Sequence, residues 1–120
     1  MNHPASTVSI HPYFKVHAGK LDTAKAVLRV LVGRTATEKE CLYYEFTING
    51  DVIFCREAYA GAGAALLHVE NVRDGLAELL KIADLARIEV HGPAEELEKL
   101  KVPMAALNPV WFVYECGLER

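Results

Sequence analysis

Apolar residues first alternate with polar ones along this chain. From Val8 to His17, Val8, Ile10, Phe14 and Val16 share one set of positions, while Ser9, His11, Tyr13, Lys15 and His17 share the other. Period two is the pattern of a strand with one face turned inward. Pro12 has no N–H to give a neighbour, so this strand is expected at an edge, or bulged near Pro12. After Ala18-Gly19 the period lengthens. Leu21, Ala24, Val27, Leu28, Leu31 and Val32 recur at spacings of three and four, which predicts a helix over 21–33. Asp22 in its first turn and Arg34 just past its end carry the signs that the helix dipole favours.

A hairpin follows. Cys41–Ile48 and Asp51–Tyr59 are rich in β-branched and aromatic residues, and Asn49-Gly50 stands between them. Asn-Gly suits a type I′ turn, which needs positive φ at both central residues. That turn would set Ile48 opposite Asp51, Phe46 opposite Ile53, Tyr44 opposite Cys55 and Leu42 opposite Glu57. The other face would carry Cys41, Tyr43, Glu45, Thr47, Val52, Phe54, Arg56 and Ala58. Neither face is purely polar, whereas a sheet with one wet face alternates cleanly. One face is therefore expected to take helices and the other to be at least partly covered by a second subunit, the alternative being a monomer with a few exposed aromatics.

The span 60–84 predicts helix in two pieces with a break at Asn71. Leu85 to His91 is a fourth strand. Gly92-Pro93 starts a short helix, where proline is tolerated and Glu95 and Glu96 suit the positive helix end. Pro103 stops it, and Val110 to Cys116 is a last strand. The order β-α-β-β-α-β, with a helix and a strand appended, is the ferredoxin-like split βαβ arrangement of an α+β protein. Its helices cover one face of an antiparallel sheet.

Composition narrows the function classes. The 120 residues, 52% of them hydrophobic, suit a single domain, 1–120, with residues 1–7 expected to be flexible. A net charge of −3 without a Lys/Arg cluster argues against nucleic acid and anionic membranes as partners. Three cysteines inside apolar runs are read as reduced, which suits the cytoplasm. Met1 to Ser9 lacks the pattern of a signal peptide, and no apolar run approaches the roughly 20 residues that span a bilayer.

Glu38, Cys41, Leu42, Tyr44, Phe54, Glu57, Tyr59, Ala65 and His68 together resemble the antibiotic biosynthesis monooxygenase family, of the dimeric α+β barrel superfamily. The family shows a Glu-x-Gly-Cys-Leu-x-Tyr-like entry to strand two, Glu-x-Tyr closing strand three, and a histidine eleven residues after that glutamate. Glu57 and His68 have this spacing. The resemblance spans about residues 8–92. Glu40 stands where the family usually has glycine, and the tail from Pro93 on, with its longer helix, departs from it. The resemblance implies a homodimer whose sheets face each other as a barrel, with a ligand pocket between sheet and helices in each subunit. Relatives oxygenate electron-rich phenols or quinols without metal or flavin. Others isomerise small sugar-derived metabolites, and some bind and cleave haem.

His68 is the first catalytic candidate, because a neutral imidazole among apolar neighbours can take a phenolic proton. The deprotonated substrate would then pass an electron to O2, so no cofactor is expected. The plainer role for His68 is a hydrogen-bonded core or dimer-contact histidine. Tyr44 and Glu57 would orient a hydroxylated substrate, or simply pack and hydrogen-bond. Asn71, one turn after His68, orients a ligand or breaks the helix. Trp111 lines a pocket or anchors core or dimer.

No metal is expected. His11 and His17 on one straight strand are roughly 20 Å apart, His3 and His91 lack partners at ligand spacing, and there is no Cys-x-x-Cys. Haem cleavage in relatives also uses a strand-one asparagine, which Val8–His17 lacks. Gly61-Ala-Gly63 is read as a turn, and Glu95, Glu96, Glu98, Lys99 and Lys101 as a solvated face. An enzyme predicts a pocket of a few hundred Å3 touching His68. A non-catalytic binding or structural barrel predicts a filled interior, with His68 fixed by a backbone or carboxylate partner.

Overall fold

A computed structural model describes residues 5–118. His3 and most of the flexible-tail expectation therefore lie outside the described residues. The elements run β1 (Val8–Val16), α1 (Leu21–Thr35), β2 (Cys41–Asn49), β3 (Val52–Tyr59), α2 (Ala62–Asn71), α3 (Arg73–Leu79), β4 (Ala83–Gly92), α4 (Ala94–Leu100), a 3-10 turn (Ala105–Leu107) and β5 (Val110–Val113). Arg34 is thus inside the last turn of α1, and β5 is shorter than expected. The break between α2 and α3 falls at Val72, next to Asn71.

One five-stranded sheet has the order β2-β3-β1-β4-β5. Neighbours are antiparallel except β4 and β5, which run parallel. This is the ferredoxin-like α+β arrangement with an added edge strand. β1 sits in the middle of the sheet, not at its edge. The irregularity near Pro12 is instead a bulge: Tyr13 pairs with Arg87 and Phe14 with Leu85, leaving Ala86 as the extra residue.

The hairpin register differs from the expected one by two. Asn49 pairs with Val52, Ile48 with Ile53, Phe46 with Cys55 and Tyr44 with Glu57. The loop is thus Gly50-Asp51, and Gly50 alone has positive φ, at 61°. That matches a type II′ turn, which needs positive φ only at its first central residue. A slip of two keeps every side chain on its predicted face. The exception is set by a second bulge between Cys41 and Tyr43. It brings Cys41 opposite Tyr59 and packs it against the core, not on the open face with Tyr43.

Helices cover one face, and two packed clusters lie beneath them. One joins Val8, Ile10, Tyr59, Ala65 and Val90 to Leu97, Leu100 and Met104 of the tail. The other joins Phe14, Ile53 and Ala83 to Leu28 and Leu31 of α1, Val72 and Leu79. Among the described residues, no helix is long and apolar enough to cross a membrane.

Candidate active site

The site lies where α1 and α2 end over the middle of the hairpin. Thr35 closes α1, its Oγ1 donating to the Leu31 carbonyl at 2.8 Å. The chain then turns back, with Glu38 N–H donating to the Thr35 carbonyl at 2.9 Å. This turn aims the Glu38 side chain under α2. The helix ends are clamped: Asn71 Nδ2 donates to the Arg34 carbonyl at 2.9 Å, and the Arg34 guanidinium to the Asn71 carbonyl at 3.3 Å.

His68, on the buried side of α2, is 3% exposed. Its Nδ1 lies 2.9 Å from Glu38 Oε2, and Asn71 Nδ2 donates to the same oxygen at 2.8 Å. A carboxylate accepts only, so the ring proton sits on Nδ1 and Nε2 keeps its lone pair. Nε2 faces Glu57 Oε1 at 3.4 Å. Tyr59 Oη donates to that oxygen at 2.5 Å. The rings of Tyr44 and Tyr59 flank the imidazole, each with its centroid 4.9 Å away.

Burial sets the proton affinities. It pushes Glu57 up to about 7, against the pull of hydrogen bonds from Tyr59 and Cys55, with the Glu38 charge adding to the rise. Desolvation holds the His68 imidazole below its usual value, opposed by Glu38. The Tyr44, Tyr59 and Cys55 groups are all raised by burial first and by Glu57 second. Burial and the same two carboxylates push Cys41 up to about 11. Near neutral pH the centre is therefore an uncharged imidazole beside a carboxyl poised to gain or lose a proton, an acid–base pair in a dry setting.

Both groups line a small, mostly apolar cavity of about 60 Å3. Tyr44, Cys55, Glu57 and His68 supply its polar edge, and Phe14, Leu31, Phe46, Leu76 and Ile88 are among its apolar walls. Met104 and Leu107 close it from the appended tail. The cavity is smaller than the few hundred Å3 expected, holding a few waters or one short group. His68 also has a fixed carboxylate partner, as a non-catalytic reading expects, so cavity and fixed partner occur together.

The fold thus brings Tyr44, Glu57 and His68 together at one wall. Asn71 touches the Glu38 carboxylate and lines no part of the cavity. Trp111 packs half-buried against the first core cluster and does not line the cavity. Glu38 and Tyr59 complete the site. Both were in the family-like run, but no periodicity marks a loop glutamate as a histidine's partner. His91, expected to lack a partner, sits beside His11 with ring centroids 4.4 Å apart on the far face of the sheet. Among the described residues no group of three or more His, Cys, Asp or Glu side chains is placed to hold a metal ion.

No protein-family model matches the chain, and no curated protein does. Solved structures do. The putative antibiotic biosynthesis monooxygenase of Caulobacter crescentus shares 22% identity over 74% of this chain and 90% of that one, with a TM-score of 0.65. A conserved protein of Bacteroides thetaiotaomicron described as a possible oxidoreductase shares 14% over 72% and 94%, with a TM-score of 0.63. At such identities these two establish the shared fold. MupZ from Pseudomonas fluorescens is far more similar: 38% identity over 95% of this chain and 94% of that chain, with a TM-score of 0.91. At that identity over nearly the whole of both chains, the protein belongs to the same family as MupZ.

Proposed function

We propose that the protein is an acid–base enzyme acting on a small, largely apolar molecule that carries a hydroxyl or carbonyl group. One observation carries this: His68, held by Glu38 at Nδ1, presents Nε2 toward Glu57 at the polar edge of an otherwise apolar cavity. His68 takes the substrate proton, Glu38 and Asn71 fix its ring, and Glu57 stores or returns the proton. Tyr44 orients the oxygen at the cavity wall.

In its oxygenase form the substrate is an electron-rich phenol or quinol whose hydroxyl edge enters the cavity. Loss of its proton to His68 lets the substrate anion pass an electron to O2. One oxygen atom then replaces hydrogen at a ring carbon while the other leaves as water with two hydrogens from the substrate, which ends as a quinone and so supplies all four electrons without metal or flavin. The names of the fold neighbours support this form. The carboxyl raised to about 7 beside a base favours a second form, proton transfer without oxygen, as in an isomerase.

Oxygen uptake and anaerobic turnover with a panel of quinols and hydroxy-ketones separate the two. His68→Ala should lower turnover by about 10^2–10^4-fold with the circular dichroism spectrum kept. Full activity in that variant would refute the acid–base reading. We further propose a homodimer closed over the helix-free sheet face and a cytoplasmic setting, the latter supported by three free cysteines.

A further inference from the structure

The cavity at His68 has no Lys or Arg among its lining residues and two carboxyl groups near it, Glu57 in its edge and Glu38 behind His68. A second carboxylate there would be desolvated and repelled. A negative charge on the substrate must therefore stay outside, and a place for it adjoins the cavity. A shallow groove between α1 and β2 is lined by Lys25, Leu28, Arg29, Val32, Phe46 and Ile48. Phe46 lines both.

Lys25 and Arg29 lie one helical turn apart on the exposed side of α1, and neither appears in an ion pair among the described residues. Most other surface cations do, including Lys15, Arg56, Arg73, Lys81, Arg87, Lys99 and Lys101. Leu31, a wall of the inner cavity, follows Leu28 of the groove by three residues, so the two are neighbours on the same side of α1. Leu28 and Phe46 thus connect the groove that carries the cations to the inner wall.

We infer that the site is bipartite and takes an amphipathic monocarboxylate. Its carboxylate pairs with Lys25 and Arg29 in the groove, its carbon chain passes Phe46, and its uncharged end reaches Glu57 and His68. This rests on the cavity at His68 being the substrate site, but not on which reaction occurs there.

Octanoate and 1-octanol, which share a skeleton and differ in charge, test it by calorimetry and by the His68 ring resonances in NMR. Octanoate should bind at least tenfold more tightly than octanol in low salt, with the advantage shrinking as salt rises. It should also shift the His68 resonances. Lys25→Ala with Arg29→Ala should abolish the advantage and leave octanol binding unchanged, and Lys25→Glu with Arg29→Glu should reverse it. Equal binding of the two probes, no binding of either, or octanoate binding that leaves His68 unmoved would each overturn the proposal. An active His68→Ala enzyme would refute the acid–base reading while leaving these binding results intact.

Discussion

Burial decides what Glu57 does. In the unfolded chain its carboxyl titrates near 4.5, and in the folded chain near 7. Between those values the folded protein holds the proton more tightly than the unfolded one. Its contribution to stability is therefore present at low pH and is lost as pH rises from about 4.5 to 7. The full swing is on the order of 3 kcal/mol. His68 works in the other direction, since its lowered affinity costs stability as pH falls below the ordinary imidazole value. Subtracting Glu57→Gln isolates the first effect. Urea melts of wild type and variant should diverge progressively from pH 4.5 to 7, with the wild type losing ground. Parallel curves would mean that Glu57 is ionised throughout. At this scale the sequence announced Tyr44, Glu57 and His68, because alternation along the hairpin and helical spacing place them on one side. Glu38 was opaque as a partner: a carboxylate in a polar loop reads as solvated until the α1 turn is seen to direct it inward.

Elements were easier to read than the fit between them. Strand and helix types follow from period, but the hairpin register came out two residues off because Asn-Gly argues for one turn while the chain adopts its neighbour. Pro12 signalled a bulge near it, which falls at Ala86 on the facing strand, but the bulge at Leu42 leaves no sequence signal, since an extra residue looks like any other until strands are paired. The approach of α3 to α1 was equally hidden. A Cβ at Gly75 would lie 2.7 Å from Leu31 Cδ2, and Leu31 is buried and walls the cavity. Gly75→Ala gains up to about 1 kcal/mol of helix propensity, but the overpacking costs roughly 1–3 kcal/mol. The net is a loss on the order of 1 kcal/mol, and Leu31 is driven into the cavity. Thermal melts should show a lower midpoint, and octanol should bind more weakly. An unchanged midpoint with unchanged binding would mean that the two helices do not meet there.

Across the whole molecule, the sheet face without helices does not look built for water. Tyr13 and Phe54 (4.7 Å between centroids), Phe54 and His11 (6.1 Å), His11 and His91 (4.4 Å), and His91 and Phe112 (4.5 Å) form one aromatic row. The row crosses β3, β1, β4 and β5. Ion pairs Glu45–Arg56 and Lys15–Asp51 lie at its margins, and Glu89 sits within it, opposite His11 and 3.1 Å from His91 Nε2. Aromatic side chains with paired charges around them are common in protein–protein interfaces. Alternation forecast the two-sided hairpin, but not that β5 would extend the row through Phe112, which is 41% exposed. A second copy laid on this face buries the row against its own equivalent, which two-fold symmetry permits. Light scattering at neutral pH should give twice the chain mass. Phe54→Asp with Phe112→Asp places buried, unpaired charge in the middle of such an interface and should give single chains with unchanged helix content. A wild type that runs as a single chain, or a double variant that stays paired, would place the contact elsewhere.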